Sequence, residues 1–386
     1  MTVAARAIVL VLLACLGRVA CGAGELRVPV PVQVGATDLD QLAVRMAAAN
    51  AVVGRLGLGP GPLRALGAAW LASERRALDV VAPGSPGGTV EAVCPDPDAI
   101  AARIASLGRQ IQEFGAPVLL VEAERPENAD DRRAAAQLQQ SLAELGLVAV
   151  DADATRARRR SLADAAVQGG LDAAAGRAAI DRPDVDFVLR VRRARREDRE
   201  GSSYGITLSA CEITVSPTLL RSGDQSSVPA GPGVGVARSR SPRAAESESE
   251  RLAIDGAALA VTGAVSAEWI ALALDQRPWI VEVQASDGFD PSRIVGGARG
   301  GDVVVLEDRP GIGALMRVPA ATARGIESGP GVGTVLQRRP GFVLVAGASA
   351  RGPGGLVAWA AGAALLGVLC ATVAIAWRVR RAARQG

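Results

Sequence analysis

The 386-residue chain carries 43 basic side chains, every one an arginine, and it has neither lysine nor histidine. Those two absences remove much side-chain chemistry. A serine or cysteine nucleophile has no imidazole base, a carbonyl has no Schiff-base amine, and a nucleotide has no P-loop lysine. Carboxylates, Tyr204 and the cysteines are what remain for acid–base work. Asp96 with Asp98, and Asp151 with Asp153, carry the oxygen donors that calcium uses, but a loop begun at Asp151 has no glutamate at its twelfth position. Helix capping and loop solubility account for both pairs. A glycosidase would need two carboxylates across a cleft. Such clefts usually carry aromatic platforms, and the tryptophans away from the chain ends, Trp70, Trp269 and Trp279, read as core anchors between units. No metal and no cofactor is expected.

Arginine spacing offers binding instead. Arg190, Arg192, Arg193, Arg195 and Arg196 crowd one strand pattern, a density suited to phosphate or another anionic surface. Glu197, Asp198 and Glu200 follow them, and no aromatic residues are interleaved for base stacking, so nucleic acid is not an expected partner. An anion-binding surface and a solvated, partly paired face both stay open. Arg156, Arg158, Arg159 and Arg160 form a second cluster on a helical pattern. Gly231-Pro-Gly-Val-Gly235 and Gly329-Pro-Gly-Val-Gly333 repeat a pentapeptide that matches no dinucleotide fingerprint and reads as turn chemistry. Cys94 and Cys211 are either a disulfide or two small buried hydrophobes.

The chain ends are more explicit. One early charge at Arg6, an apolar run over residues 7–16 and small residues up to Ala23 make a secretory signal, expected over residues 1–23. Leu12-Leu-Ala-Cys15 loosely matches a lipobox, so lipoprotein processing stays open. Residues 356–376 hold no charge and are long enough for about 30 Å of helix, the thickness of a bilayer core. Trp359 and Trp377 stand near the two ends of this expected span (356–377), where indoles favour the interface. Arg378, Arg380 and Arg381 make the tail over 378–386 basic, which places it in the cytoplasm and the N-terminal part outside. Within the span Ala363, Gly367 and Ala371 recur every four residues, a seam that permits helix packing and a homo-oligomer.

Between the ends, three units separated by turn signals are expected. Residues 24–115 read as a small α+β module, with an entry strand at Leu26, a helix opened by Thr37 and Asp40, a hairpin around 83–88 and a helix begun at Asp96-Pro97. Residues 116–277 read as an α/β domain in the order strand (118–121), helix (130–145), strand (147–150). Helical stretches come next (156–167 and 171–180), then a strand pair turning at 200–203, a mobile loop over 229–242 and a long helix over 246–275. Residues 278–349 read as a second α+β module with strands at 279–283, 303–306 and 341–345, followed by a linker over 350–355.

The element order over residues 24–278 resembles the periplasmic domains of flagellar assembly T-type and curli-export proteins, whose fold is shared with TolB N-terminal domains. It is carried by the strand over 118–121, by Leu142-Ala-Glu-Leu-Gly-Leu-Val-Ala-Val-Asp151, by Pro183-Asp-Val-Asp-Phe-Val-Leu189 and its partner strand, and by the alanine-rich helix through Trp269. The resemblance implies a non-catalytic envelope domain that binds other proteins, and no site residue follows from it. The C-terminal span departs from that family. The expectation is therefore an exported, membrane-anchored α/β and α+β ectodomain that binds envelope proteins. A carboxylate-dependent hydrolase and a ligand sensor that signals through a partner are the alternatives.

Overall fold

The computed structural model describes residues 25–30, 42–81, 89–151, 155, 185–203, 206–284, 303–309, 313–327 and 334–346. The expected signal sequence, the expected terminal span with Trp359, Ala363, Gly367, Ala371 and Trp377, and the expected tail with Arg378, Arg380 and Arg381 lie outside the described residues. So do Thr37, Asp40 and the helical stretches over 156–180. The described residues form a mixed α/β protein with three sheets and six helices. They divide into two compact units, one running to Trp279 and taking Arg339–Phe342, the other formed by Ile280–Arg338 and the chain from Val343.

In the first unit, β1 (Leu26–Val30), β2 (Asp79–Val81) and β3 (Val90–Cys94) make an antiparallel sheet in the order β1-β3-β2. Pro29 cannot donate to a ladder, and β1 accordingly lies at the edge. Helices α1 (Leu42–Arg55), α2 (Pro62–Ser73) and α3 (Pro97–Phe114) accompany this sheet. Asp96 caps α3, its Oδ1 accepting from the Ala99 N–H at 2.9 Å, and Pro97 takes the first helical position. The apolar stripe of α3 buries Ile100, Ile104 and Leu107. Arg45 of α1 is itself buried and donates from Nε to the Ala72 carbonyl at 2.7 Å, satisfying an oxygen at the C-terminal end of α2.

A second sheet follows. β4 (Val118–Ala123), α4 (Ala129–Glu144) and β5 (Val148–Asp151) form a parallel βαβ unit, and β6 (Phe187–Ser203) pairs with β4 in parallel on the other side. Asn128 caps α4 by accepting from the N–H groups of Asp130 and Asp131. β7 (Ile206–Arg221) returns antiparallel to β6 and carries β8 (Ser227–Val228) and β9 (Gly233–Ser239) on its far edge. The β6–β7 ladder runs on to Ser203↔Ile206, past the turn expected at 200–203, with a register shift between Asp198 and Gly201. Half of the loop expected over 229–242 is strand: β9 pairs with Ser209–Val215 without a register shift, and Ser241 then caps α5 (Pro242–Ala273).

Helix α5 explains why the expected boundary at 115/116 does not divide the fold. One continuous core runs from Val28 of β1 to Ile270 of α5 and includes side chains from all five helices of this unit. α5 packs on β7 and β9, and also on α1, α2, α3 and α4. A helix covered on so many sides must be apolar around most of its circumference. By length and composition alone α5 could cross a membrane, and it is the one such helix among the described residues. Its apolar residues are accounted for here by the core, where Ala257, Val261, Val265 and Trp269 are fully buried.

Of the two readings left open for Cys94 and Cys211, the structure has the buried hydrophobes and not the disulfide. Both thiols are free and buried, one on β3 and the other on β7. Burial pushes the Cys94 thiol up to about 11, with an opposing hydrogen bond from the Asp96 backbone. At pH 8 its thiolate fraction is then about one in a thousand. Maleimide labelling followed by peptide mapping should leave Cys94 unmodified in the native protein and modify it after denaturation.

The second unit is a five-stranded sheet in the order β11-β12-β10-β14-β13, from β10 (Trp279–Gln284), β11 (Val304–Arg309), β12 (Gly313–Val318), β13 (Thr334–Arg339) and β14 (Phe342–Ala346). The short helix α6 (Ala320–Arg324) follows β12. Strands β12 and β13 were not expected from sequence, although Ala314, Met316 and Val318 alternate as a buried face.

Candidate functional site

Strand alternation splits the arginine cluster of β6 into two populations. Phe187, Leu189, Val191 and Arg193 point into the core, and Arg190, Arg192 and Arg196 are exposed on the opposite face. The five arginines therefore do not form one anion-binding surface. Arg193, with a side chain only 3% exposed, donates from Nη1 to Asp130 at 3.2 Å and from Nη2 to Glu246 at 3.0 Å. Its Nε lies 3.5 Å from Glu250. Arg195 pairs with the same Glu246 at 3.1 Å. The backbone N–H of Arg193 donates to Asp131 Oδ1 at 2.9 Å, and Arg125 grips that buried carboxylate through Nε at 2.7 Å and Nη2 at 3.0 Å. The Arg125 hydrogen bonds hold the Asp131 carboxyl below the usual carboxylate range, against the opposing effect of burial. This network is internal, binding β6 to the first turn of α4 and to the second and third turns of α5.

The exposed cations are different. Arg190, Arg192 and Arg196 have no ion pair among the described residues, although Glu122 lies beside Arg190 and Glu212 beside Arg196 in register. Two strands away, β9 ends in a second group. Arg238, Arg240 and Arg243 are exposed and likewise have no ion pair among the described residues.

β9 is held tightly on its inner side. A Cβ on Gly233 would stand 1.9 Å from the Ala253 carbonyl oxygen, and one on Gly235 would stand 1.9 Å from that of Ser249. Only glycine lets the strand backbone lie against the helix backbone at this distance. Ser249 adds a hydroxyl that donates to the Cys211 carbonyl at 2.7 Å. On the outer side Val234 and Val236 are 53% and 55% exposed. β9 pairs only with β7, so its other edge has no strand partner among the described residues.

Sequence reasoning missed this strand because glycine and proline dominate its neighbourhood. A usable signal was present in Gly-Val-Gly-Val-Ala-Arg-Ser, where two residue types alternate with period two. Among the described residues no three acidic or cysteine side chains gather as a metal site.

No family model matches the chain, and no curated protein matches it. Among solved structures it is similar to a minor lipoprotein from Acinetobacter baumannii, at 18% identity over 39% of this chain and 92% of that one, with a TM-score of 0.23. A lipoprotein from Neisseria meningitidis is similar at 19% identity over 33% of this chain and 85% of that one, with a TM-score of 0.18. At these TM-scores neither likeness carries a functional argument.

Proposed function

We propose that this chain is a non-catalytic, membrane-anchored cell-envelope protein whose ectodomain binds other envelope proteins in an assembly, secretion or activator role. The observation that carries the reading is the β9 region: a regular strand with two exposed valines, one edge without a strand partner and a group of arginines without an ion pair among the described residues. Such a surface is built for association, since it offers apolar contact, backbone hydrogen-bonding groups and charge together. The apolar run over 356–376 and the basic tail after it support the anchor, and the signal-like N-terminus supports export.

In-cell cross-linking and pull-down of the full-length protein, beside a version lacking residues 356–386, tests the reading. Both versions should enrich envelope proteins through the ectodomain, and only the full-length protein should sediment with membranes. Enrichment of no protein over background by either version would remove the binding role.

A further inference from the structure

Exposed strand edges are usually blunted by brevity, proline, a bulge or an inward charge, because a bare edge invites another chain to pair with it. Within its seven residues β9 has no proline, bulge or inward charge, its one charged side chain being the outward Arg238, and its register with β7 is uninterrupted. It is also rigid. Gly233 and Gly235 clamp its inner face to the α5 backbone, so the edge stands pre-organised and costs little further ordering when something pairs with it.

Charge selects what pairs with it. Arg238, Arg240 and Arg243 crowd the C-terminal end of the strand without an ion pair among the described residues, and Arg196 stands two strands away on the same sheet face as Val236. A second copy pairing through its own β9 would bring Arg238 to the edge again, and none of that strand's seven residues is acidic. A lipid headgroup supplies anionic charge but no ladder of N–H and C=O groups. An extended polypeptide with acidic residues supplies both.

We propose that β9 is a docking edge for an extended acidic segment of a partner protein, which adds a strand beside Val234 and Val236 and sets its carboxylates against Arg238, Arg240 and Arg243. The proposal rests on the protein-binding reading above and gives that partner a chemistry. Alternate side chains of the incoming strand would lie beside the two valines, and the ladder would extend the six-stranded sheet by one.

The test is fluorescence anisotropy of a labelled peptide of alternating valine and glutamate, titrated with the full-length protein in detergent. The glutamate peptide should bind at least about tenfold more tightly than its lysine counterpart, and the binding should weaken steeply with salt. Methylating alternate backbone nitrogens of the peptide should cost at least about tenfold, because strand addition needs those donors. A protein carrying Arg238→Glu and Arg240→Glu should lose about tenfold or more, whereas Arg55→Glu on α1 should stay within about twofold. All these positions are exposed, so melting temperatures should hold and report that the fold survives.

Three results would overturn the proposal. One is equal binding of the methylated and unmethylated peptides. Another is binding to phosphatidylglycerol vesicles, sensitive to the Arg238→Glu/Arg240→Glu pair, without peptide binding. The third is self-association of the protein through β9, abolished by Val236→Asp, without peptide binding. The titration is blind to where the chain resides, so its failure removes this edge while the pull-down still decides the broader reading.

Discussion

Alanine at Gly235 is expected to destabilise the first unit by about 3 kcal/mol or more, which corresponds to a melting temperature lower by roughly 5–10 °C. The added carbon would stand 1.9 Å from the Ser249 carbonyl oxygen and 2.7 Å from the Ala253 nitrogen. Both are backbone atoms of α5, so no side chain can rotate away to make room. Relief requires β9 to part from the helix, which would uncover Ile213 and Val215 on the neighbouring strand. Gly231→Ala provides the comparison, since nothing lies within 4 Å of its added carbon and its cost should be within about 0.5 kcal/mol. Thermal melts of the two variants measure the difference. Equal melting temperatures would mean that β9 does not lie against α5 in this way.

Removing the Arg193 side chain should cost about 3–5 kcal/mol, the range for breaking a buried ion pair from one side. Arg193→Ala leaves Glu250, at 10% side-chain exposure, and Glu246, at 25%, without their shared cation. It also leaves a void inside the sheet. Replacing both partners, as in Arg193→Met with Glu250→Met, should recover a large part of the loss because no buried charge is then stranded. Urea unfolding of the single and double variants reads this directly. Recovery would fail if the network were solvated and contributed little.

The same network shapes the acid side of the stability profile. Asp131 has a folded pKa below its unfolded value of about 4, so its contribution is complete above that value. The contribution is lost as pH falls through the lower folded value. Asp131→Asn should therefore be less stable than the natural protein at neutral pH, with the two stabilities converging as the solution is acidified. Parallel curves down to the acid limit would show that the Arg125 pairing is not what depresses this carboxyl.

Local signals made much of the fold legible. Asp96-Pro97 opens α3 where the residues themselves supply the cap and the pre-organised first turn. Val118-Leu-Leu-Val121 and Leu147-Val-Ala-Val150 mark two parallel strands by apolar runs alone. The site was legible only as composition. Five arginines within seven positions read as one cationic surface, yet side chains alternate along a strand, so Arg193 and Arg195 face a network of carboxylates while Arg190, Arg192 and Arg196 face solvent.

The residues by themselves determined the chemical vocabulary of this protein, because the absence of lysine and histidine is a property of the chain and no folding can restore it. They also determined the helix starts and strand cores, which depend on caps and periods a few residues long. Only the tertiary structure decided that one core runs from Val28 to Ile270, because that follows from α5 being covered on both sides. It also decided that the glycines of 233–239 are packing surfaces and not turn formers. A glycine in a turn and a glycine pressed against a helix backbone look identical in sequence, since what separates them is the distance to an atom that lies many residues away.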